Sequence, residues 1–551
     1  MSATPRVFTI PGSVPFLPTL IRALAAGTLV PTGFAHDPLG LAAATLYLPT
    51  RRACRLARDA FLDVLGVEAA ILPRIVPLGD IDEDELAFDD ASDDTSGTIE
   101  PLDLPPTLSG FARRLTLARL VLAFAERVRP ETAASSPLVV GTPAAALTLA
   151  DHLARLIDDM TVREIPWEQL DGLVPDDLDK YWQLTLDFLA IAREHWPRIL
   201  AERQAIEPAA RRDRVIAAEA ARLARNPDGP VIVAGSTGSM PATARFIAAV
   251  ARLPHGAVVL PGLDTHLDAE SWSALAGRAD RATDAASEPE SGHPQFALHG
   301  LLQQLGLDRG EVMILGDTPA HDRAALVSEA LRPASTTDLW RPRLAEPAFA
   351  EQLAGSLSGL SVIDAANADE EALAIAVALR EAVEAPEGTA ALATPDRALA
   401  RRVSAALARW NIVVADSGGQ PLADAAAGIF ARLAVETALG GAAPATLLAL
   451  LKHPHCRLGA KDHAHARAVA ALERAVLRGP RPRAGTKGLA EALANFRTEL
   501  AKFRMGQPSA LHRADPRVLV SEADLGAAAE LVARVAAALA PLEALDQTRP
   551  H

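Results

Sequence analysis

The sequence predicts a helix-rich α/β protein of two strand-and-helix lobes, the first interrupted by a helical insertion and the second followed by a helical region. Three observations carry this reading. Short apolar runs such as "VFTI" (7–10), "ATLYLPT" (44–50) and "VIVA" (231–234) end in turns and lead into helical patterns. Between residues 101 and 228 apolar positions recur at spacings of three and four, as in Leu117, Val121, Phe124 and Val128. The composition is 49 % hydrophobic, 22 % charged and only 4 % aromatic, which fits large Ala- and Leu-rich cores and excludes a disordered chain.

The elements follow in order. Residues 1–100 begin the first lobe: "VFTI", the loop "PGSVPF", and the helix "LPTLIRALAAG" closed by Gly27. The strand "ATLYLPT" precedes the helix "RRACRLARDAFLDVLG", and "AILPRIVPLGDI" (70–81) reads as a third extended segment. The acidic stretch 80–97 reads as a solvated loop. Residues 101–228 form a helical insertion, after which 229–345 resume the first lobe and run on as a linker. Here "VIVA" meets the turn Gly235-Ser236-Thr237-Gly238, and Pro241 opens a helix with Phe246, Ile247 and Val250 on its apolar face. Residues 257–260 form the next buried strand, and 280–294 a polar loop. A second α/β lobe is expected over 346–425, with strands at "TAALAT" (389–394) and "NIVVAD" (411–416). Residues 426–551 are helical and are expected to continue beyond the chain end.

The 551 residues suffice for three or four domains of about 150 residues each. No apolar run approaches the roughly 20 residues that span a bilayer, and the N-terminus lacks an apolar signal core. Only Cys54 and Cys456 occur, which excludes a disulfide framework, so a cytoplasmic protein without membrane contact is expected. A net charge of −15 argues against a uniformly basic surface but leaves room for a local basic groove. Lysine occurs only at Lys180, Lys452, Lys461, Lys487 and Lys502, and arginine carries the remaining positive charge.

A turn between a buried strand and a helix is where α/β proteins bind phosphates. After the first strand that position holds "PGSVPFLPT", in which Pro11, Pro15 and Pro18 each remove a backbone N–H. Gly12 and Ser13 remain, but no lysine precedes residue 180 and no GxxxxGK[ST] motif occurs. Two α/β lobes with a helical insertion after the first resemble the layout of superfamily 1 helicases, which implies a magnesium-binding acid pair after the strand "VIVA"; this chain has Gly235 and Ser236 there. Neither ligates a cation through a carboxylate nor acts as a base. No catalytic residue and no metal site is therefore assigned. "AGSTGS" also lacks the GxGxxG spacing of a dinucleotide turn.

The best nucleic-acid candidate is "LYLPTRRACRLARDAF". Thr50, Arg51, Arg52 and Arg55 lie at the start of a helix just past a strand, and Arg51, Arg55 and Arg58 share one face. Hydroxyls and guanidiniums at a helix N-terminus suit a phosphate backbone, although a solvated basic face explains them equally well. "HPHCRLGAKDHAH" (453–465) matches no standard zinc spacing. "DIDEDEL" (80–86) merges into the solvated loop.

Several stretches together resemble the AddB family, the second subunit of bacterial AddAB helicase–nucleases, in its alphaproteobacterial form. They are "VFTIPGSVPFLPTL", "LYLPTRRA", "LPRIVPLGDIDEDEL", "VIVAGSTGSMPATARFIAAVARLPHGAVVLPGLD" and "TAALATPDRALARRVSAALARW". The resemblance implies two RecA-like lobes of the superfamily 1 helicase type that have lost motor function. It implies DNA, as a single strand or a duplex end, and an AddA-like motor subunit as partners in double-strand-break repair. Family members are roughly twice this length, and their C-terminal nuclease domain, with its Mg2+ and in some members an iron–sulfur cluster, has no counterpart here. No cofactor is expected in this chain. Two alternatives stay open: a Rossmann-like nucleotide-binding enzyme using the Gly235–Ser239 turn, and a purely structural interaction protein.

Overall fold

The structure, a computed structural model, describes residues 5–30, 38–78, 104–128, 141–170, 179–225, 229–277, 288–318, 323–386, 388–459 and 461–546. The chain forms two compact units, residues 1–361 and 362–551.

The first unit is built on a six-stranded parallel sheet. Its strands are β1 (Val7–Ile10), β2 (Thr45–Leu48), β3 (Arg74–Pro77), β4 (Val231–Ala234), β5 (Gly256–Pro261) and β6 (Met313–Ile314), in the spatial order β3-β2-β4-β5-β1-β6. The register is fixed by pairs such as Val7 with Val258, Tyr47 with Val233 and Leu46 with Ile75. The central strands are apolar throughout because both faces are covered, as parallel sheets require. Helices Phe16–Ala25 and Arg51–Leu65 pack on one face through Leu20, Ile21, Leu24, Ala57 and Phe61. Helices Pro208–Arg225, Pro241–Ala251 and Phe296–Leu305 cover the other through Ile216, Phe246, Val250 and Leu301. The helix Pro208–Arg225, expected within the insertion, is thus a layer of the sheet domain.

The helical insertion has its own core. Helices Gly110–Arg127 and Pro143–Val162 bury Leu117, Val121, Phe124, Leu153 and Ile157 against Trp196. Beside it the Arg113 guanidinium forks onto the Asp158 carboxylate, with nitrogen–oxygen distances of 3.0 and 2.9 Å, and lies 2.8 Å from Glu207. Ser109 and Thr142 cap the two helices by accepting from Ala112 and Ala145 N–H groups.

In the second unit the expected α/β lobe is only partly realised. Helices Ala368–Glu384 and Arg397–Ala408 form and pack through Ala372, Ala376, Leu399, Val403 and Leu407. The segments 389–394 and 411–416 do not pair as strands, and Val413 is 95 % exposed. A strand exists only where a neighbour satisfies its backbone, and no such neighbour lies among the described residues of this unit. Beyond residue 426 a helical bundle buries Leu447, Leu451, Leu472, Leu493, Leu500, Leu531 and Val535.

Among the described residues one helix, Glu522–Leu545, is long and apolar enough to cross a membrane, contrary to the reading by uninterrupted runs. Glu530 and Arg534 interrupt its apolar run while leaving the average hydropathy high. Its residues Leu525, Ala528, Leu531, Val532, Val535 and Leu539 are core of the bundle, which accounts for their apolar character.

Candidate functional site

In a parallel sheet the crevice opens where neighbouring strands send their following helices to opposite faces. This sheet has two such points. β2 leads to one face while adjacent β4 leads to the other, and β1 and β5 diverge in the same way. Each point carries a cavity at the C-terminal ends of the strands.

The larger cavity, about 640 Å3, lies at the ends of β1, β5 and β6 and is lined by Thr9, Pro11, Gly12, Ser13, Asp264, His266, His293 and Gln295 among others. The expected phosphate-loop residues therefore do face a crevice. Four of its polar side chains, Thr9, Asp264, His293 and Gln295, are engaged within the protein. Thr9 Oγ1 donates to the Leu260 carbonyl and accepts from Leu263 N–H at 3.1 Å. Gln295 clamps the loop after β5, accepting from Asp264 N–H at 3.1 Å and donating to the Gly262 carbonyl at 3.0 Å. Asp264 Oδ1 accepts from His266 and Leu267 N–H groups, closing a local turn. His293 bonds the Leu331 carbonyl through Nε2 and accepts from Gln295 N–H through Nδ1.

The loop after β1 has no phosphate cradle. Val14 N–H closes a turn onto the Pro11 carbonyl at 3.0 Å. The helix that follows has Pro15 at its cap position without a side-chain cap bond. Gly12 does not adopt the left-handed conformation, and a Cβ there would meet nothing within 4 Å.

The turn after β4 is different. Gly235 and Gly238 have φ of +78° and +65°, the region that favours glycine. A Cβ on Gly235 would lie 3.3 Å from the Phe16 ring, and one on Gly238 would lie 3.2 Å from Leu301. These glycines serve a tight turn packed against side chains, not an open approach for a pyrophosphate. Ser236 Oγ accepts from Gly238 N–H at 3.3 Å. The smaller cavity, about 180 Å3, joins Ser236, Ser239 and Thr243 to Pro49 and Arg212, between the ends of β2 and β4.

Thr50 follows β2 as the cap of helix Arg51–Leu65, its Oγ1 accepting from Ala53 N–H at 3.1 Å. That leaves the hydroxyl proton as the group Thr50 can offer a phosphate. Cys54, Ala57 and Phe61 anchor the helix, and Arg51, Arg52, Arg55 and Arg58 are exposed. Cys54 is buried, and burial pushes its thiol up, which disfavours the nucleophilic thiolate.

The structure thus gathers Pro11, Gly12, Ser13, Gly235, Ser236 and Thr50–Arg55 along one sheet edge. β1 and β4 flank β5, so their loops start about 10 Å apart at the usual strand spacing. Gln295 and Thr9, which shape the larger cavity, escaped the sequence reading. The one available signal was the polar residue preceding the apolar helix at 296. "DIDEDEL" (80–86) lies outside the described residues. In "HPHCRLGAKDHAH", His465 Nε2 bonds the Leu451 carbonyl at 2.8 Å and Cys456 is buried with its thiol pushed up by desolvation. No group of three or more metal-ligating side chains is found among the described residues.

No protein-family model matches the chain, and comparison with curated proteins finds no relative.

Proposed function

We propose that this chain is a helicase-like scaffold without a motor, of the AddB type, that binds and guides DNA while an AddA-like partner hydrolyses ATP. One observation carries the reading. The strand order places β5 between β1, which leads to the proline-rich loop, and β4, which leads to Gly235-Ser236, and this order supports a RecA-like layout. The chemistry has been removed: prolines replace donors, no lysine precedes residue 180, and Gly235-Ser236 stand in place of carboxylates. Phosphoryl transfer depends on positioning and charge stabilisation, so a site lacking those groups does not run it. What remains polar and outward-facing at that edge is Thr50 with Arg51, Arg52 and Arg55, which supports a phosphate-backbone contact.

The test is Arg51→Ala with Arg55→Ala, measured by single-stranded DNA binding over a salt series. Binding should weaken, and the slope of log affinity against log salt should fall by about one per lost phosphate contact. Unchanged affinity and slope would move the contact elsewhere.

A further inference from the structure

We propose that the second unit carries a separate nucleic-acid-binding surface, centred on the cavity beside His453–Arg457, that takes a single strand with exposed bases. It stands on its own observations, whether or not Thr50–Arg55 touches DNA.

The first observation is charge. Residues 452–487 hold nine lysines and arginines against two acids, in a chain whose net charge is −15. The cations are outward, with the side chains of Arg478 and Arg483 74 % and 90 % exposed. Two of the acids that partner this region lie beneath the cations, while Glu491, 4.0 Å from Arg483, is 47 % exposed. Glu473 is 10 % exposed and holds Lys452 at 2.8 Å and Arg478 at 2.6 Å, and Asp524 is 17 % exposed and holds Arg467 at 2.9 Å. The cavity's own cations, Lys452 and Arg457, thus sit in a segment with an excess of exposed positive charge, which concentrates polyanions locally despite the acidic chain.

The second observation is a run of π faces. Phe430 lies 5.5 Å from His453, ring centre to ring centre, and His453 lies 5.3 Å from His455. A cavity of about 470 Å3 adjoins the His453 end of this run, lined by Lys452, His453, Arg457, His465 and Glu473 among others. That volume lies in the usual range for a small-molecule site, which suits one nucleotide. Cations tracking a backbone beside rings that stack bases are the two parts of a single-strand site. A membrane surface is the poorer fit. No large apolar side chain between residues 452 and 487 is exposed among the described residues, so nothing there inserts into lipid.

The experiment uses the full chain and fluorescence anisotropy with three probes: an oligothymidylate, heparin, and phosphatidylserine-containing vesicles. Lys452→Ala with Arg457→Ala and Lys461→Ala should weaken oligothymidylate binding about tenfold at low salt and flatten the salt slope. His455→Ala should weaken oligothymidylate several-fold and leave heparin unchanged, because only the former has bases to stack. No effect of the triple variant overturns the proposal. So does an equal loss for all three probes with His455→Ala silent, which would define a generic polyanion patch. Arg51→Ala with Arg55→Ala, run in parallel, separates the two sites. Loss in the triple variant alone supports this surface and refutes the first-unit contact, and loss in the double variant alone does the reverse.

Discussion

Tyr47 is fully buried on β2, and its hydroxyl donates to Glu219, whose carboxylate also takes two bonds from Arg222 at 2.8 and 2.9 Å. Burial first, and the Glu219 charge second, hold the Tyr47 hydroxyl far above its ordinary range, so it acts only as a donor. This clip holds the helix Pro208–Arg225 on the sheet. Tyr47→Phe should cost about 1–3 kcal/mol by denaturant unfolding, the penalty for a buried acceptor that loses a donor. A loss within error would show that the clip is not structural. Asp268 behaves differently. Burial raises its carboxyl, but the Ser271 N–H and hydroxyl and the Arg332 guanidinium outweigh burial and leave it below its usual value. A depressed carboxyl stabilises above its unfolded value, about 3.9, and that contribution is lost as pH falls through the folded value. Asp268→Asn should therefore flatten the acid-side decline in melting temperature; an unchanged decline would assign it to other groups. At this scale the proline-filled loop and the missing acids were legible, because they are identities. The Gln295 clamp was not, because it joins residues some thirty positions apart through bonds that only the fold creates.

Among elements, β1, β2 and β4 were legible because each is a short apolar run ended by a turn and followed by a helical period, and β3 and β5 because each is a short run of mainly apolar residues. β6 was missed because its two residues sit at the sheet edge, where Met313 and Ile314 are exposed and carry no burial pattern. The segments 389–394 and 411–416 show the converse. Their β-branched and apolar residues read as strands, but pairing is a property of the neighbour and not of the segment. The turn after β4 yields a test that separates packing from ligand binding. Gly235→Ala should destabilise the protein by about 1–2 kcal/mol, because a Cβ is strained at positive φ. It should leave any nucleotide affinity unmoved. A stable variant that lost measurable nucleotide binding would revive the dinucleotide reading.

For the whole molecule, the junction of the two units runs through an open stretch in which Val362 is 91 % exposed. Limited proteolysis should cut near residues 358–366 and release two resistant fragments, as judged by mass spectrometry; early cuts inside either core would contradict the division. If, as proposed, the chain binds DNA without hydrolysing ATP, nothing in it couples phosphate release to movement and translocation falls to a partner. The measurement that bears most directly on this account is single-stranded DNA affinity of the intact chain across a salt series, with and without MgATP. The account predicts salt-dependent binding whose affinity and slope are the same in both arms. Absent DNA binding, or an affinity that MgATP shifts, would contradict it.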